Sequence, residues 1–272
     1  MCDAGTMNAP ELDVLVVTGG HPYEAEPFFA VFDALDGVRW THAGAPATGH
    51  DVIVFYDIPG LRFTRADPPT EMTDPTPAQQ QVIADLTAAG TGLVFMHHAI
   101  AGWPTWEAYA HLMGGRFHYQ PGRLDGIDYP DSGYLFDVEH TVEVLDPSHP
   151  VCAGLGEQFT IVDELYCFPV RDDVVPLMRT NFNVADASRF YSADLAIRGS
   201  KNDNTGWTHP AGSDLVAWAR AEDNSPIVYL QFGDGPVTYA DGNFRRALAN
   251  AIGWTASDEA RQWAISSTSS SG

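Results

Sequence analysis

Two adjacent histidines, His97 and His98, follow an apolar run from Gly92 to Met96. Histidine exchanges protons near neutral pH and binds metal ions through a ring nitrogen, so the pair could serve acid–base or metal chemistry. At such a strand-to-helix turn, acyl-transfer enzymes carry a serine or cysteine nucleophile. This turn has neither, which excludes an acyl-enzyme formed here. We predict that at least one of the two histidines lies in the site, while the other could be a structural histidine bonded to the backbone.

The segment from Asp163 to Tyr166 offers two carboxylates and a phenol. Neighbouring residues on a strand point to opposite faces. We therefore favour Glu164 and Tyr166 on the side of the site and a structural bond for Asp163, while keeping all three as catalytic candidates beside His97 and His98.

Four further side chains follow predicted strands and are candidates for substrate binding: His21, Tyr23, Trp103 and Asp234. His21 is either a metal ligand or a neighbour of the following helix. If a divalent metal such as zinc is bound, His21, His97 and His98 are its expected ligands. His149, which precedes a proline in a turn, is predicted to be structural.

Alternating strand and helix patterns must position these residues. The apolar runs Leu12–Thr18, Asp51–Tyr56 and Gly92–Met96 predict adjacent parallel strands buried on both faces. Helices are predicted at 27–35, 76–89 and 104–113 between or after them, which is the pattern of a parallel sheet with helices on both faces. Ligands of such sheets bind beyond the carboxyl ends of the strands, where the candidate residues lie.

The second half predicts more strands and a final helix. The strands are expected at 136–145, 159–162, 174–178, 215–218 and 227–232, and the helix at 243–254. No linker separates the halves, so these strands should extend the edge of one sheet. The segment 182–212 is predicted to be a loop near the site. We expect a domain over 12–255, a disordered N-terminus over 1–11, and a C-terminal extension over 256–272 with a disordered Ser-rich tail from Ser266.

The chain has 14 basic and 36 acidic residues, a formal net charge of −22. Such a surface disfavours nucleic acid and anionic membranes and suits a neutral or cationic small ligand. No run approaches the length of a membrane span and no secretion signal is evident. Three cysteines without a CxxC pair fit a reducing cytoplasm. The Gly19-Gly20 turn lacks the spacing of a phosphate-binding loop, so NAD and ATP are not expected.

Six motifs occur in order along the chain: Val14-Leu-Val-Val-Thr-Gly-Gly-His21, Gly92-Leu-Val-Phe-Met-His-His-Ala99, Gly114-Gly115-Arg116-Phe117, His149-Pro150, Asp163-Glu164-Leu-Tyr166 and Val228-Tyr-Leu-Gln-Phe-Gly233. In order and spacing they resemble the ThuA-like (trehalose utilisation) family, over roughly residues 12–255. The resemblance implies a flavodoxin-like three-layer α/β/α sandwich, with a mostly parallel central sheet and added edge strands, similar to class I glutamine amidotransferases but without their cysteine. It also implies use of trehalose and related disaccharides, alongside dehydrogenases that make 3-keto-sugars. Many relatives carry histidine where this chain has Asp234.

Three hypotheses remain open at this stage. The chain could be an enzyme that acts on a disaccharide-derived or keto-sugar by proton transfer through His97 or His98 and Glu164. It could be a metal-assisted hydrolase that uses the same histidines, or a non-catalytic sugar-binding protein. Aromatic residues near the expected rim suit stacking against a small carbohydrate ligand: Trp103, Trp106, Tyr119, Tyr166 and Trp207. The sequence does not decide the oligomeric state, and a homo-oligomer is compatible with it.

Overall fold

The apolar runs become strands of one ten-stranded sheet in the computed structural model, which describes residues 11–269. The strands are β1 (Leu12–Gly19), β2 (Val38–Ala43), β3 (Val52–Asp57), β4 (Leu61–Phe63), β5 (Thr70–Met72), β6 (Gly92–Met96), β7 (Gly122–Leu124), β8 (Ile127–Tyr129), β9 (Gly133–Val144), β10 (Gln158–Cys167), β11 (Val175–Thr180), β12 (Tyr191–Ser192), β13 (Leu215–Glu222) and β14 (Ser225–Leu230). Two small hairpins, β4–β5 and β7–β8, lie outside the main sheet.

Helices cover the two faces of this sheet. They are α1 (Ala25–Asp33), α2 (Pro77–Ala89), α3 (Glu107–Met113), α4 (Ala193–Ile197), α5 (Pro236–Ala240), α6 (Gly242–Thr255) and α7 (Asp258–Ser269). Phe28 of α1 and Phe244 of α6 belong to the core on one face, whereas Ile83 of α2 and Tyr109 of α3 belong to the core on the other. The result is the predicted α/β/α sandwich.

The strand order is β10-β9-β11-β13-β14-β6-β3-β1-β2, with β12 paired to β9. The last five strands are parallel, and β6, β3 and β1 are neighbours, as predicted. The strands from β10 to β13 are antiparallel and extend one edge. All five residues of β6 and all six of β3 are buried, which explains their continuous apolar sequence.

Local sequence signals place α2 before β6. Thr76 caps the helix by accepting the Gln79 N–H, while Gln79 reaches back to the Thr76 N–H, and Pro77 occupies the first helical position. Gly90 ends the helix in the left-handed conformation, with a φ of 74°. β6 starts two residues later, so the turn that carries His97 lies at a fixed position at the end of the sheet.

Some predicted boundaries were wrong. β10 does not end at residue 162 but continues to Cys167, so the segment Asp163–Tyr166 lies within the strand. The edge strand β2 was not predicted, because its sequence contains polar residues and all six of its residues are exposed or half-buried. The segment 182–212 is not a simple loop, since it contains β12, α4 and a short 3₁₀ turn.

The Ser-rich tail was also predicted wrongly in part. Residues 266–269 form the last turn of α7 and not a disordered tail. The hydroxyls of Ser266 and Ser269 donate to carbonyl oxygens four residues earlier, and Ala260 and Ala264 anchor the helix in the core. The predicted disorder of residues 1–10 and 270–272 lies outside the described residues. Between residues 11 and 269, no helix combines the length and apolarity needed to cross a bilayer.

Candidate active site

His97 lies at the turn that follows β6, with a φ of 49°. This left-handed conformation is unfavourable for a residue with a side chain and is found mostly where the surrounding structure imposes it. The Tyr229 hydroxyl donates to the His97 carbonyl oxygen at 3.0 Å, and His97 Nδ1 donates to the Gln231 carbonyl at 2.7 Å. The first bond holds the His97 backbone against β14, and the second holds its ring against the residue that follows β14. Nε2 is left for other partners.

Three oxygen atoms surround His97 Nε2. The Tyr166 hydroxyl lies at 2.8 Å, Glu164 Oε2 at 3.1 Å and Asp234 Oδ1 at 3.5 Å. Glu164 and Tyr166 come from β10, and Asp234 comes from the loop after β14. The structure thus brings Glu164 and Tyr166 to the same side, as the alternation of strand residues indicated. We refer to His97, Glu164, Tyr166 and Asp234 as the His97 cluster.

The carboxylates decide the charge state of His97. Burial alone would lower the pKa of the imidazole, but the hydrogen bonds to Asp234 and Glu164 and the charges of Glu164 and Asp163 together outweigh it and hold the pKa well above its usual value. Burial also raises the pKa of Glu164. Burial opposes ionisation of Asp234 too, yet the hydrogen bond from His97 and the charges of His97 and His21 together outweigh it and lower the pKa of that carboxyl. The cluster therefore contains an imidazolium, an ionised Asp234 and a buried Glu164 that is a weaker acid than usual.

Asp163 supports the loop that carries Asp234. Its carboxylate accepts the backbone N–H of Gly233 at 2.8 Å and of Asp234 at 3.1 Å, and the Thr238 hydroxyl at 2.8 Å. These contacts give Asp163 the structural role that we favoured for it and do not place it among the groups around His97 Nε2.

His98 points to a different environment. Its Nε2 donates to the Tyr56 carbonyl at 3.2 Å, and its ring packs against the rings of Tyr56 and His21, with centroids 4.2 and 4.6 Å away. Burial and the neighbouring His21 lower the pKa of His98 well below its usual value, so the ring is neutral. The structure does not bring the ring nitrogens of His21, His97 and His98 together as the predicted metal set. The ligand atoms that lie within 4.8 Å of one another belong to His97, Glu164 and Asp234.

The other predicted binding residues are divided between two places. His21 is half-buried, and burial lowers the pKa of its ring. The nearby charge of Asp234 raises that pKa only in part. The Tyr23 hydroxyl is bonded to Thr18 Oγ1 at 2.9 Å, and its ring packs edge-on against Tyr56. Trp103 lines a separate cavity beside Asp57.

The predicted rim of aromatic side chains is not assembled at the cluster. Tyr166 contacts His97 directly, and Tyr119 lies close enough to Glu164 and Asp234 for their charges to raise its pKa further, after burial. The Trp106 ring stacks on Tyr109, and the Trp207 indole N–H donates to the Asp131 carbonyl. Stacking on a sugar therefore has fewer candidates here than the sequence suggested.

We predicted that at least one of the two histidines lies in the site, at the end of the sheet where ligands bind, and the structure buries both of them. The exposed fractions of His97 and His98 are only 1% and 2%. The side chain of Asp234 is 33% exposed, so solvent reaches the cluster at Asp234, beside the half-buried His21. His97 is covered because three partners converge on Nε2, an arrangement that the order of residues along the chain does not reveal.

Other groups at the site were not found from the sequence. Tyr229 and Gln231 position His97, and Thr238 helps Asp163 to hold the Asp234 loop. The signal available for Gln231 was its place as a polar residue in the apolar run before Gly233. Cys152 and Cys167 are free, buried thiols, and burial raises the pKa of each to about 12, which argues against a cysteine nucleophile.

Comparison with known proteins adds a family and a fold. The family model ThuA, described as trehalose utilisation, matches residues 46–255. Two similar solved structures are ThuA-like proteins. The one from Parabacteroides merdae is 12% identical, with a TM-score of 0.64 over 91% of this chain and 90% of that one. The one from Bacteroides uniformis is 19% identical, with a TM-score of 0.60 over 94% and 95%.

The fold extends to proteins of other kinds. The PurLQS structure from Thermotoga maritima is 9% identical and has a TM-score of 0.51, covering 90% of this chain and 99% of that one. At this identity the likeness shows the fold alone, which is of the glutamine amidotransferase type. No curated protein matches the sequence.

Proposed function

This chain belongs to the ThuA family, which is associated with trehalose utilisation, and from that membership and the geometry of the His97 cluster we propose that it is a carbohydrate-processing enzyme that works by proton transfer. The observation that carries the proposal is the position of His97 Nε2, 3.1 Å from Glu164 and 3.5 Å from Asp234. Acid–base catalysis needs groups in opposite protonation states within reach of one another. A cationic His97 beside an ionised Asp234 meets this requirement.

The exposure of the cluster supports the roles that we propose. Asp234 is ionised and partly exposed, so it is the member that a substrate meets first and the base that we assign. The buried His97 lies directly behind it as an imidazolium. Its positive charge stabilises the negative charge of Asp234, which is lost when Asp234 takes up a proton. Glu164 and Tyr166 hold the imidazolium through Nε2, and Glu164, whose pKa burial raises, is placed to exchange a proton with it.

The substrate class follows from what such a base can do. A hydrogen on the carbon next to a carbonyl is acidic enough for a carboxylate–imidazolium pair to remove, whereas the hydrogens of an unoxidised sugar are not. We therefore propose a keto-sugar derived from a disaccharide as the substrate, in keeping with the trehalose association of the family. The formal net charge of −22 also suits a neutral sugar better than a sugar phosphate.

Turnover tests this proposal. The purified protein is incubated with trehalose and with 3-oxo-trehalose, and the products are followed by NMR. We expect the 3-oxo-sugar to be converted and trehalose to remain unchanged. Conversion of trehalose at the same rate would contradict the requirement for a carbonyl, and conversion of neither sugar would contradict the substrate class.

A metal centre is the second candidate, because the same atoms form a ligand set. One nitrogen and two carboxylate oxygens, from His97, Glu164 and Asp234, lie within 4.8 Å of one another. Zinc bonds of about 2.0–2.2 Å in a tetrahedron place neighbouring ligand atoms about 3.3–3.6 Å apart, and the two distances from Nε2 are 3.1 and 3.5 Å. The bond from Nδ1 to the Gln231 carbonyl also presents Nε2 as a ligand.

The two candidates differ in the state of His97. A metal requires the neutral ring, whereas the acid–base proposal uses the imidazolium, so metal binding would release a proton. With zinc bound, the three side chains would hold a Lewis acid that polarises a carbonyl oxygen. The zinc content of the protein distinguishes the two candidates.

A further inference from the structure

A cavity lies away from the His97 cluster, at the carboxyl end of β3. Its volume is about 90 Å³, and Phe55, Asp57, Trp103 and Tyr109 line its buried part. The exposed residues Ala45 and Gln79 lie at its mouth. The cavity therefore connects a buried carboxyl group with solvent through an aromatic passage.

Asp57 is the unusual residue in this cavity. Its exposed fraction is 4%, and its Oδ1 atom has no hydrogen-bond partner among residues 11–269. Burial raises the pKa of the Asp57 carboxyl to about 8. A buried polar atom without a partner costs free energy, and nearly all such atoms in folded proteins are satisfied by protein, water or a ligand. The unpaired oxygen thus indicates a partner that comes from outside the described residues.

The aromatic walls are held by the surrounding backbone. Trp103 has a φ of 44°, and its N–H donates to the Pro59 carbonyl at 2.6 Å. The buried guanidinium of Arg116 donates to the Trp103 carbonyl at 2.8 Å. Gly60 has no side chain, and a Cβ there would lie 2.3 Å from the Trp103 ring. Three constraints therefore fix the ring next to Asp57, in a backbone conformation that is otherwise unfavourable.

We propose that this cavity binds a small organic ammonium ion. Its N–H groups would donate to Asp57 Oδ1, and its alkyl part would lie against Trp103 and Tyr109, whose ring faces attract cations. A cavity of about 90 Å³ that holds one buried carboxyl group among aromatic and aliphatic side chains suits a small primary amine. The formal net charge of −22 raises the local concentration of cations at the mouth.

The ion and a proton compete for Asp57. Tyr109 is the other titratable residue that lines the cavity, and burial, followed by the Asp57 charge, raises the pKa of its hydroxyl well above its usual value, so it stays neutral. The affinity should therefore rise with pH up to the Asp57 pKa of about 8 and then level off. Binding below that pH should release a proton.

Calorimetry with methylammonium chloride, at constant ionic strength set by NaCl, tests the proposal. We expect saturable binding to the wild type, at least about tenfold weaker binding to Asp57→Asn, and no binding of methanol as a neutral probe. Ala45→Leu narrows the mouth without touching Asp57 and should weaken binding similarly, while Ala47→Leu, an exposed change outside the cavity, should leave it unchanged.

Each outcome decides the proposal. Wild-type affinity in both Asp57→Asn and Ala45→Leu would overturn it, as would the absence of saturable methylammonium binding by the wild type or equal binding of methanol. If Asp57→Asn does not fold, the methylammonium affinity of Ala45→Leu, compared with that of Ala47→Leu, decides the proposal, because both positions are exposed.

Discussion

His97 Nε2 lies 3.1 Å from Glu164 Oε2, and both side chains are almost completely buried. A histidine and a carboxylate that share a site without water interact far more strongly than a pair on the surface. This contact and the nearby Asp234 keep His97 cationic despite its burial. The predictions below follow from that relationship and from the side chains that support it.

The first prediction concerns His97 itself. In His97→Asn the amide can still donate to the Gln231 carbonyl as Nδ1 does, but the proton-exchanging Nε2 is lost. We expect the turnover of the 3-oxo-sugar to fall by about 10²- to 10⁴-fold, with an unchanged circular dichroism spectrum. His149→Asn, a histidine change outside the cluster, is the matched control and should keep the wild-type rate.

A second prediction concerns pH and Glu164. Because the carboxylate raises the pKa of His97, Glu164→Gln should lower it, and the ring should lose its charge at a lower pH than in the wild type. NMR titration of the His97 ring measures this shift directly. An unchanged His97 titration in Glu164→Gln would show that Glu164 does not stabilise the imidazolium.

The same pair has a consequence for stability. The pKa of His97 is raised on folding, so the stability that this provides is fully present below the unfolded value of about 6.5 and is lost as the pH rises through the folded pKa. The difference in unfolding free energy between the wild type and His97→Asn should therefore shrink as the pH rises above about 6.5. Urea unfolding at several pH values measures it. A difference that grows with pH would contradict the raised pKa.

Asp163→Asn should affect both stability and activity. The amide nitrogen replaces one carboxylate oxygen, so either the bond from the Gly233 N–H or the bonds from the Asp234 N–H and the Thr238 hydroxyl are lost. We expect the free energy of unfolding to fall by about 1–3 kcal/mol and the Asp234 loop to be misplaced. The melting temperature and the rate of turnover should fall together. Asp172→Asn, at an exposed position, is the control and should change neither measurement.

Much of the fold was predictable because it depends on local patterns. The runs of β1, β3 and β6 are continuous and apolar, and such runs are typical of strands covered on both faces. The common side of Glu164 and Tyr166 followed from strand alternation. The C-terminal turn of α7 was missed because serine favours helix interiors only weakly, and burial of Ala264 decides its conformation instead.

Glu164 and Tyr166 were expected on the side of the site, but the sequence did not show that they would meet His97 and not His98. In the sheet order, β9, β11, β13 and β14 lie between β10 and β6, yet residues of β10 contact the turn after β6. Such a contact requires the sheet to curl, and curvature depends on strand length and twist, which local sequence does not specify. For the same reason, Asp234 could not be chosen over His21 and His98 as a neighbour of His97 before the fold was known.

Zinc loading separates the two candidate functions. If the cluster is a metal centre, zinc-loaded and dialysed wild type should retain about one equivalent by mass spectrometry, and Glu164→Gln should lose it, because a carboxylate ligand becomes an amide. Glu139→Gln, an exposed change on β9, should retain the metal. Retention by Glu164→Gln would contradict a metal centre at this position.

Deuterium exchange tests the central claim most directly. The wild type is incubated with a 3-oxo-sugar in D₂O, and NMR follows the hydrogen on the carbon next to the carbonyl. We expect this hydrogen to exchange faster than in buffer alone, with the acceleration lost in His97→Asn and Asp234→Asn and kept in His149→Asn. Exchange at the wild-type rate in both cluster variants would show that the His97 cluster does not transfer the proton.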